Sequence, residues 1–448
     1  MSDEERVRDF QRKLYQKAKQ DETFRFYVLY DKVRLLYFLR ESYKRCKANR
    51  GSAGVDGMTF MDVEAYGIDK FLAEIVAELE SKTYKPQPVL RVYIPKANGK
   101  TRPLGIPVIK DRVIQMAVKL VIEPIFEADF EESSYGFRPR RSSGDAVRQI
   151  KQKLQEGKGE VFDADLSAYF DTIPHKELLQ LVGKRISDKN VLHLIKMWLK
   201  APVMDNGRLT GGKKNKLGTP QGGVISPLLS NIYLHELDKA VNRENGVFCQ
   251  CGIKIIRYAD DWVLMAKRIP QNALDYLDKL LKRMKLKLNE DKSKIVNALE
   301  ESFDFLGHTF RLDDDLLGRK NRKYWNVEPS SKSQKRVREK IREYLRYNGH
   351  KPPQDVANDL NTITRGWINY FSTKGVTYPG KAKRNLRYYL SVKLTRYYKR
   401  KSQRKCKLYN QGAFAVLVSK YMVSSTTSYT LVSSTSCVTT SYTLNKIV

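Results

Sequence analysis

Apolar residues recur along this chain with two different periods. Phe24, Val28, Leu29, Leu35, Leu36 and Leu39 return about every 3.6 residues with basic residues between them, so residues 1–50 are expected to be mostly helical. Gly51-Ser-Ala-Gly-Val-Asp-Gly57 breaks that pattern. A helix over about Asp62–Ser81 follows, with Phe71, Ile75 and Leu79 on one face. Val89, Val92 and Ile94 alternate as in a strand, Asn98-Gly99 is a turn signal, and Leu104–Ile106 supplies the return, so this stretch reads as a hairpin. Helical spacing resumes over Asp111–Asp129 through Val113, Ile114, Ala117, Val121 and Ile125, with Pro124 expected to kink or break it. Another helix is entered at Ser143 or Asp145. A short strand starts at Val161, and Gly218–Leu234 is a loop running into a helix. Between Ile253 and Ala266, two β-prone runs flank Asp260-Asp261, which places the acids at or near the tip of a hairpin. Beyond it the pattern predicts a basic amphipathic helix over Gln271–Leu286, a turn at Asn289, one short strand over Phe303–Phe310, and a loop or hairpin near Asp313–Lys323.

The last third has a different character. From Ser330 to Lys407 there are 22 Lys plus Arg against 4 Asp plus Glu, in a helical pattern with Leu386, Leu390 and Leu394 on one face. Tyr388, Tyr389, Tyr397 and Tyr398 are interspersed with Lys383, Arg384, Arg387, Arg396 and Lys399. This is a separate helical module whose polar side either grips a nucleic-acid backbone or is simply solvated. In Val423–Val448, 14 residues are Ser or Thr, and Thr-Thr-Ser-Tyr-Thr-Leu occurs at 426–431 and again at 439–444. That composition is expected of a disordered tail or of residues outside the ancestral reading frame.

Composition narrows the partner. The 448 residues suffice for two or three domains, and 83 Lys plus Arg against 50 Asp plus Glu give a formal charge of +33. Such an excess favours a polyanion. Membrane lipid competes for that role, but there is no apolar run long enough to span a bilayer, and the acidic N-terminus lacks the apolar core of a secretory signal. Nucleic acid is the leading partner. Five scattered cysteines (Cys46, Cys249, Cys251, Cys406, Cys437) argue for a reducing compartment, and Cys249-Gln-Cys251 has no second pair at zinc spacing.

The candidate chemistry sits in five places. Two ionised carboxylates side by side repel each other, and a hard divalent cation such as Mg²⁺ removes that conflict; a bare Asp-Asp doublet can equally be an acidic turn. Asp163, Asp165 and Asp171 form a second acidic stretch, and a strand-end carboxylate from it would complete a three-carboxylate metal cluster with Asp260 and Asp261, unless these acids only cap helices and turns. Lys96 and Arg102 flank the first hairpin as a triphosphate clamp or as solvated cations. Arg138, Arg140 and Arg141 beside Tyr135 and Phe137 suit a single-stranded template, or make an exposed basic turn. In Pro220-Gln-Gly-Gly223 the glycines allow close backbone approach, and Gln221 offers a donor and an acceptor.

The order of blocks carries more than any one of them. Arg-Pro-Leu-Gly-Ile-Pro (102–107), Ser-Tyr-Gly-Phe-Arg-Pro (134–139), Asp-Leu-Ser-Ala-Tyr-Phe-Asp (165–171), Gly-Thr-Pro-Gln-Gly-Gly-Val-Ile-Ser-Pro-Leu-Leu (218–229), Tyr-Ala-Asp-Asp (258–261), Leu-Lys-Leu-Asn (286–289) and Phe-Leu-Gly (305–307) together resemble the reverse transcriptase of bacterial group II intron-encoded proteins, over residues 30–420. The resemblance implies an α+β fold: right-hand polymerase fingers and palm with an antiparallel palm sheet, then an α-helical thumb or maturase (X) domain. The implied division is a helical N-terminal extension at 1–60, fingers and palm at 61–310, the basic helical domain at 311–421 and the Ser/Thr tail at 422–448.

By position, the resemblance makes Asp165, Asp260 and Asp261 the catalytic carboxylates of two Mg²⁺ ions, with the Leu166 carbonyl as a further ligand. Phe170 falls where the family places a steric gate against a ribose 2′-OH. Gln221 matches the residue lining the nucleotide pocket, Lys96 and Arg102 the cations on the triphosphate, and Lys292 a proton donor to pyrophosphate. The implied activity is RNA-directed DNA polymerisation together with intron-RNA binding for splicing and mobility, in a bacterial cytoplasmic ribonucleoprotein. The implied partners are group II intron RNA, a primed RNA template, dNTPs and target DNA, with the protein a monomer or dimer. The alternatives are a domesticated polymerase in defence or repair, and an RNA-binding maturase without polymerase activity. No His-Asn-His core with paired Cys-x-x-Cys is present, so a DNA-cleaving domain is not expected. Trp262 stands where the family more often has Phe.

Overall fold

The computed structural model describes residues 1–95, 99, 101–212, 215–315, 322–400, 409 and 411–419. Lys96, Cys406, Cys437 and the Ser/Thr-rich tail with its repeat lie outside the described residues.

A four-stranded antiparallel sheet organises the fold. Asp261–Ala266 is flanked by Lys254–Tyr258 and Glu160–Ala164, and Lys294–Asn297 lies beyond the latter. Its side chains alternate between two cores. Phe162, Ala164, Trp262, Leu264 and Ala266 join a large core with the helices Ile109–Asp129, Ser226–Asn242 and Gln271–Arg283. Val161, Ile256, Val263, Met265 and Val296 turn to a second core with the helix Ser143–Gln155 and the sheet formed by Phe303–Phe305, His308–Asp314 and Lys323–Pro329. A strand with both faces covered needs an apolar residue at every position, which explains the unbroken run Trp262–Ala266. A second four-stranded sheet contains the hairpin Val89–Pro95/Thr101–Ile106, extended by Pro202–Asp205 and Arg208–Gly211.

Several expected elements differ in detail. Asp3–Gln20 and Leu36–Ala48 are helical, but 24–29 is not: Phe26 bridges Ile186, Leu29 is buried, and Val28 is exposed. The helix expected over 62–81 is two helices. Thr59 and Asp62 form a capping box that starts Phe60–Tyr66, and Gly67 at φ +101° separates it from Ile68–Glu80, which buries Phe71, Ile75 and Leu79. Pro124 does not break Ile109–Asp129. Proline cannot supply the amide that would bond the Leu120 carbonyl, and Gln11 Nε2 of the N-terminal helix donates to that carbonyl instead, at 2.8 Å. Phe303–Phe310 is a hairpin rather than one strand, because Leu306 and Gly307 both take positive φ in a two-residue turn.

The basic segment folds as the helices Ser331–Tyr347, Pro353–Tyr370 and Gly380–Arg400 around a core of their own, with Leu386, Leu390 and Leu394 buried as the pattern predicts. No helix among the described residues is long and apolar enough to cross a membrane.

Candidate active site

The hairpin of the central sheet closes at the pair Tyr258–Asp261, leaving Ala259 and Asp260 as its turn, with Ala259 at φ 58°. One buried guanidinium holds this turn. Arg257 Nη1 donates to the Ala259 carbonyl and to Asn231 Oδ1, both at 2.9 Å. Its Nε and Nη2 grip Asp238 at 2.8 and 2.5 Å, and Nη2 also donates to Ser134 Oγ at 2.7 Å. Arg257 and Asp238 are both 0% exposed. The Ser-Tyr-Gly-Phe-Arg-Pro block is the bracket beneath the turn. The Tyr135 amide donates to the Arg257 carbonyl at 2.8 Å, and Asn231 Nδ2 donates to the Gly136 carbonyl at 2.8 Å. A Cβ on Gly136 would lie 2.2 Å from the Ala259 nitrogen, so only glycine fits.

Asp165 follows directly on the strand that pairs Ala164 with Trp262, so one further step of that register sets it across from Asp261. The Leu-Lys-Leu-Asn block fixes its backbone. Leu166 bridges Leu288, with the Ser167 amide donating to the Lys287 carbonyl at 2.9 Å and the Asn289 amide to the Asp165 carbonyl at 2.8 Å. That pair of bonds does not use the Leu166 carbonyl. Asp165 Oδ2 accepts from Lys292 Nζ at 2.9 Å and Asn289 Nδ2 at 3.1 Å.

The two turn acids feel their charged neighbours. Burial raises the proton affinity of Asp260, Asp165 adds to the rise, and Arg102 and Arg257 oppose it. Burial, then Asp260, Asp165 and Asp163, push Asp261 up to about 7. Asp261 opens to solvent on one side, yet protein atoms crowd its carboxyl, and the crowding outweighs the opening in setting its proton affinity. Among the described residues, no three His, Cys, Asp or Glu side chains are gathered at metal-ligand spacing. Asp165 is instead turned onto Lys292 and Asn289.

The nucleotide candidates are linked to this centre by a chain of backbone contacts. Arg102, exposed on Thr101–Ile106, lowers the proton affinity of both Asp260 and Asp261. Three residues on, the Gly105 amide donates to the Gln221 carbonyl at 2.6 Å, and a Cβ on Gly222 would fall 2.5 Å from the Gly105 carbonyl oxygen. Gln115 Oε1 accepts from the Val224 amide at 2.9 Å and so anchors the same loop. The Phe170 carbonyl accepts from the Thr219 amide at 2.7 Å, and its ring lies edge-on to Tyr169.

The basic candidates divide. Arg138 is not a surface cation: its side chain is 2% exposed, paired with Glu127 at 2.7 Å, and donates to the Glu131 and Ser134 carbonyls. Arg141 pairs with Glu132 and lies over the Tyr135 ring, while Arg140 is exposed. Lys383 is buried and so departs from the expected polar face, and Arg387 is partly buried. Arg384, Arg396 and Lys399 are exposed. Arg257, Asp238, Asn231 and Gln115 are site-supporting residues that the sequence reading misses. The one local signal is a charged residue, Arg257, inside the apolar run Ile255–Tyr258.

Residues 94–310 match the family described as reverse transcriptase (RNA-dependent DNA polymerase), and residues 334–411 match the group II intron maturase-specific domain. Protein YkfC of Escherichia coli K12 is 37% identical over 339 residues, which are 67% of this chain and 87% of that protein. This chain belongs to the group II intron reverse transcriptase/maturase family. The group II intron-encoded protein LtrA of Lactococcus lactis is 36% identical over 58% of the chain, and the match spans 41% of LtrA. The reverse transcriptase match ends within the hairpin after the central sheet, and the maturase match begins within the first helix of the three-helix unit.

Proposed function

We propose that the chain is an RNA-directed DNA polymerase that copies primed RNA from dNTPs and also binds group II intron RNA to assist splicing and mobility. What supports the reading is the Ala164–Trp262 register, one further step of which would bring Asp165 level with Asp261, together with Asp260 at the turn and Arg102 acting on both Asp260 and Asp261. The donor set fits a divalent cation: adjacent, crowded carboxyls with raised proton affinity are relieved by positive charge. Asp165, Asp260, Asp261 and the Leu166 carbonyl would hold two Mg²⁺, with Asp165 released from Lys292. When bound, the ions would make a primer 3′-OH more acidic and offset charge on the leaving pyrophosphate.

The protein's own groups do the rest. Arg102 neutralises the triphosphate, Phe170 excludes a ribose 2′-OH, Gln221 lines the nucleotide pocket, and Lys292, freed from Asp165, can hand a proton to pyrophosphate. The sheet with the first hairpin acts as fingers, the central sheet as palm, and the three basic helices as a thumb that grips intron RNA and template. Target DNA and a ribonucleoprotein state follow from that reading. Asp260→Asn should abolish cDNA synthesis on a primed RNA with Mg²⁺ while RNA binding stays near wild type. Unchanged synthesis would sink the metal assignment.

A further inference from the structure

The three-helix unit has its own core, so contacts outside that core set its angle to the catalytic hairpin. One attachment is the chain itself, where the Ser330 amide donates to the Gly307 carbonyl at 2.8 Å. A second lies at the loop between Pro353–Tyr370 and Gly380–Arg400. Thr377 ties this loop into a closed unit: its hydroxyl donates to the Phe371 carbonyl and accepts from the Thr373 amide. Val376 enters the second core beside Val147, Ile150 and Leu154. The Tyr378 amide donates to the Val327 carbonyl at 2.7 Å.

Lys151, on the helix Ser143–Gln155, is buried against this loop. Its Nζ donates to the carbonyls of Gly375 and Val376 at 3.2 and 3.0 Å and to the Tyr378 hydroxyl at 3.1 Å, and lies 4.5 Å from the centre of the Tyr378 ring. Three donors thus meet three neutral oxygens. A lysine at a helix surface ordinarily extends its charge into water. Desolvating it against carbonyl dipoles is costly unless every donor is used, so this arrangement holds the loop in one position.

We infer that Lys151 is a positioning residue that fixes the basic helices relative to the catalytic hairpin, and thereby sets how many nucleotides are added before the template–primer is released. Losing Lys151 loosens the loop against the helix Ser143–Gln155 without touching Asp165, Asp260 or Asp261, while the Ser330–Gly307 and Tyr378–Val327 bonds and the Tyr370 hydroxyl on the Leu306 carbonyl keep the unit joined. The inference rests on the polymerase reading.

The test is primer extension by the full chain on a long RNA template, with a polyanion trap added at the start, alongside single-nucleotide addition at saturating dNTP. Lys151→Met keeps the stem and removes the charge. It should shorten trapped products several-fold while leaving the single-addition rate near wild type, and Lys151→Arg should restore part of the length. Tyr378→Ala, at a partly exposed position, should shorten products in the same direction and serves should Lys151→Met fold poorly. Product lengths equal to wild type in these variants would overturn the role of Lys151, as would a parallel drop in length and in first addition. A wild-type chain that extends no primer overturns the polymerase reading and this inference with it.

Discussion

Arg257 and Asp238 form an ion pair that solvent does not reach, and the same guanidinium bonds the carbonyl of Ala259, the residue just ahead of Asp260. Removing one partner strands a buried charge. Asp238→Leu should therefore cost about 3–5 kcal/mol in urea unfolding. Adding Arg257→Met to it should recover much of that stability. Primer extension should be impaired in the double variant, because Arg257→Met removes the donor to the turn carbonyl of Ala259. Full recovery of synthesis in the double variant would mean that the pair supports the fold alone.

RNA affinity should fall steeply with salt, and the basic residues should separate by exposure. Replacing Arg384, Arg396 or Lys399 by Gln should each reduce the slope of log affinity against log salt by about 0.7–0.9, the value of one lost phosphate contact. Arg138→Gln should leave the slope unchanged and lower the melting temperature, since its charge is spent on Glu127. Filter binding across a salt series, with thermal melts in parallel, reads both effects.

Acid should destabilise the fold partly through His235. Its ring lies edge-on to Phe130, and neither nitrogen has a hydrogen-bond partner among the described residues. Burial, with the charges of Lys239, Arg257 and Arg138, depresses its pKa from 6.5 to about 3. Below pH 6.5 the unfolded chain takes up a proton that the folded chain refuses. The stability held by the neutral ring is thus complete above pH 6.5 and is lost as pH falls toward 3, at about 1.4 kcal/mol per pH unit. His235→Leu should flatten the stability–pH curve by one proton's worth in that window. An unchanged slope in urea titrations at pH 4–6 would remove His235 from the account.

The legible parts of this fold are those where one physical rule acts alone. Two β-prone runs around Asp260-Asp261 marked the central hairpin, the alternation of Val92 and Ile94 with the return at Leu104–Ile106 marked the other, and the spacing of Leu386, Leu390 and Leu394 marked the last long helix. The motif order singled out Asp165, Asp260 and Asp261, which lie at one end of the central sheet. What stayed hidden depends on distant partners. Pro124 continues its helix because Gln11 arrives from the N-terminus. The Arg cluster at 138–141 looks uniform in sequence, yet Glu127 and Glu132 claim two of its members. Arg257 could be suspected only as a charge misplaced in an apolar run, and its four partner residues come from three segments: Ser134, the helix bearing Asn231 and Asp238, and the turn at Ala259.

Gly105 and Gly222 touch backbone to backbone with no space for a methyl group between them. The strand bearing Arg102 and the loop bearing Gln221 consequently travel as one jaw. Under the proposed polymerase function, any closure that carries Arg102 toward a nucleotide must bring Gln221 with it, so the tail and the base of that nucleotide would be judged in a single movement rather than in turn.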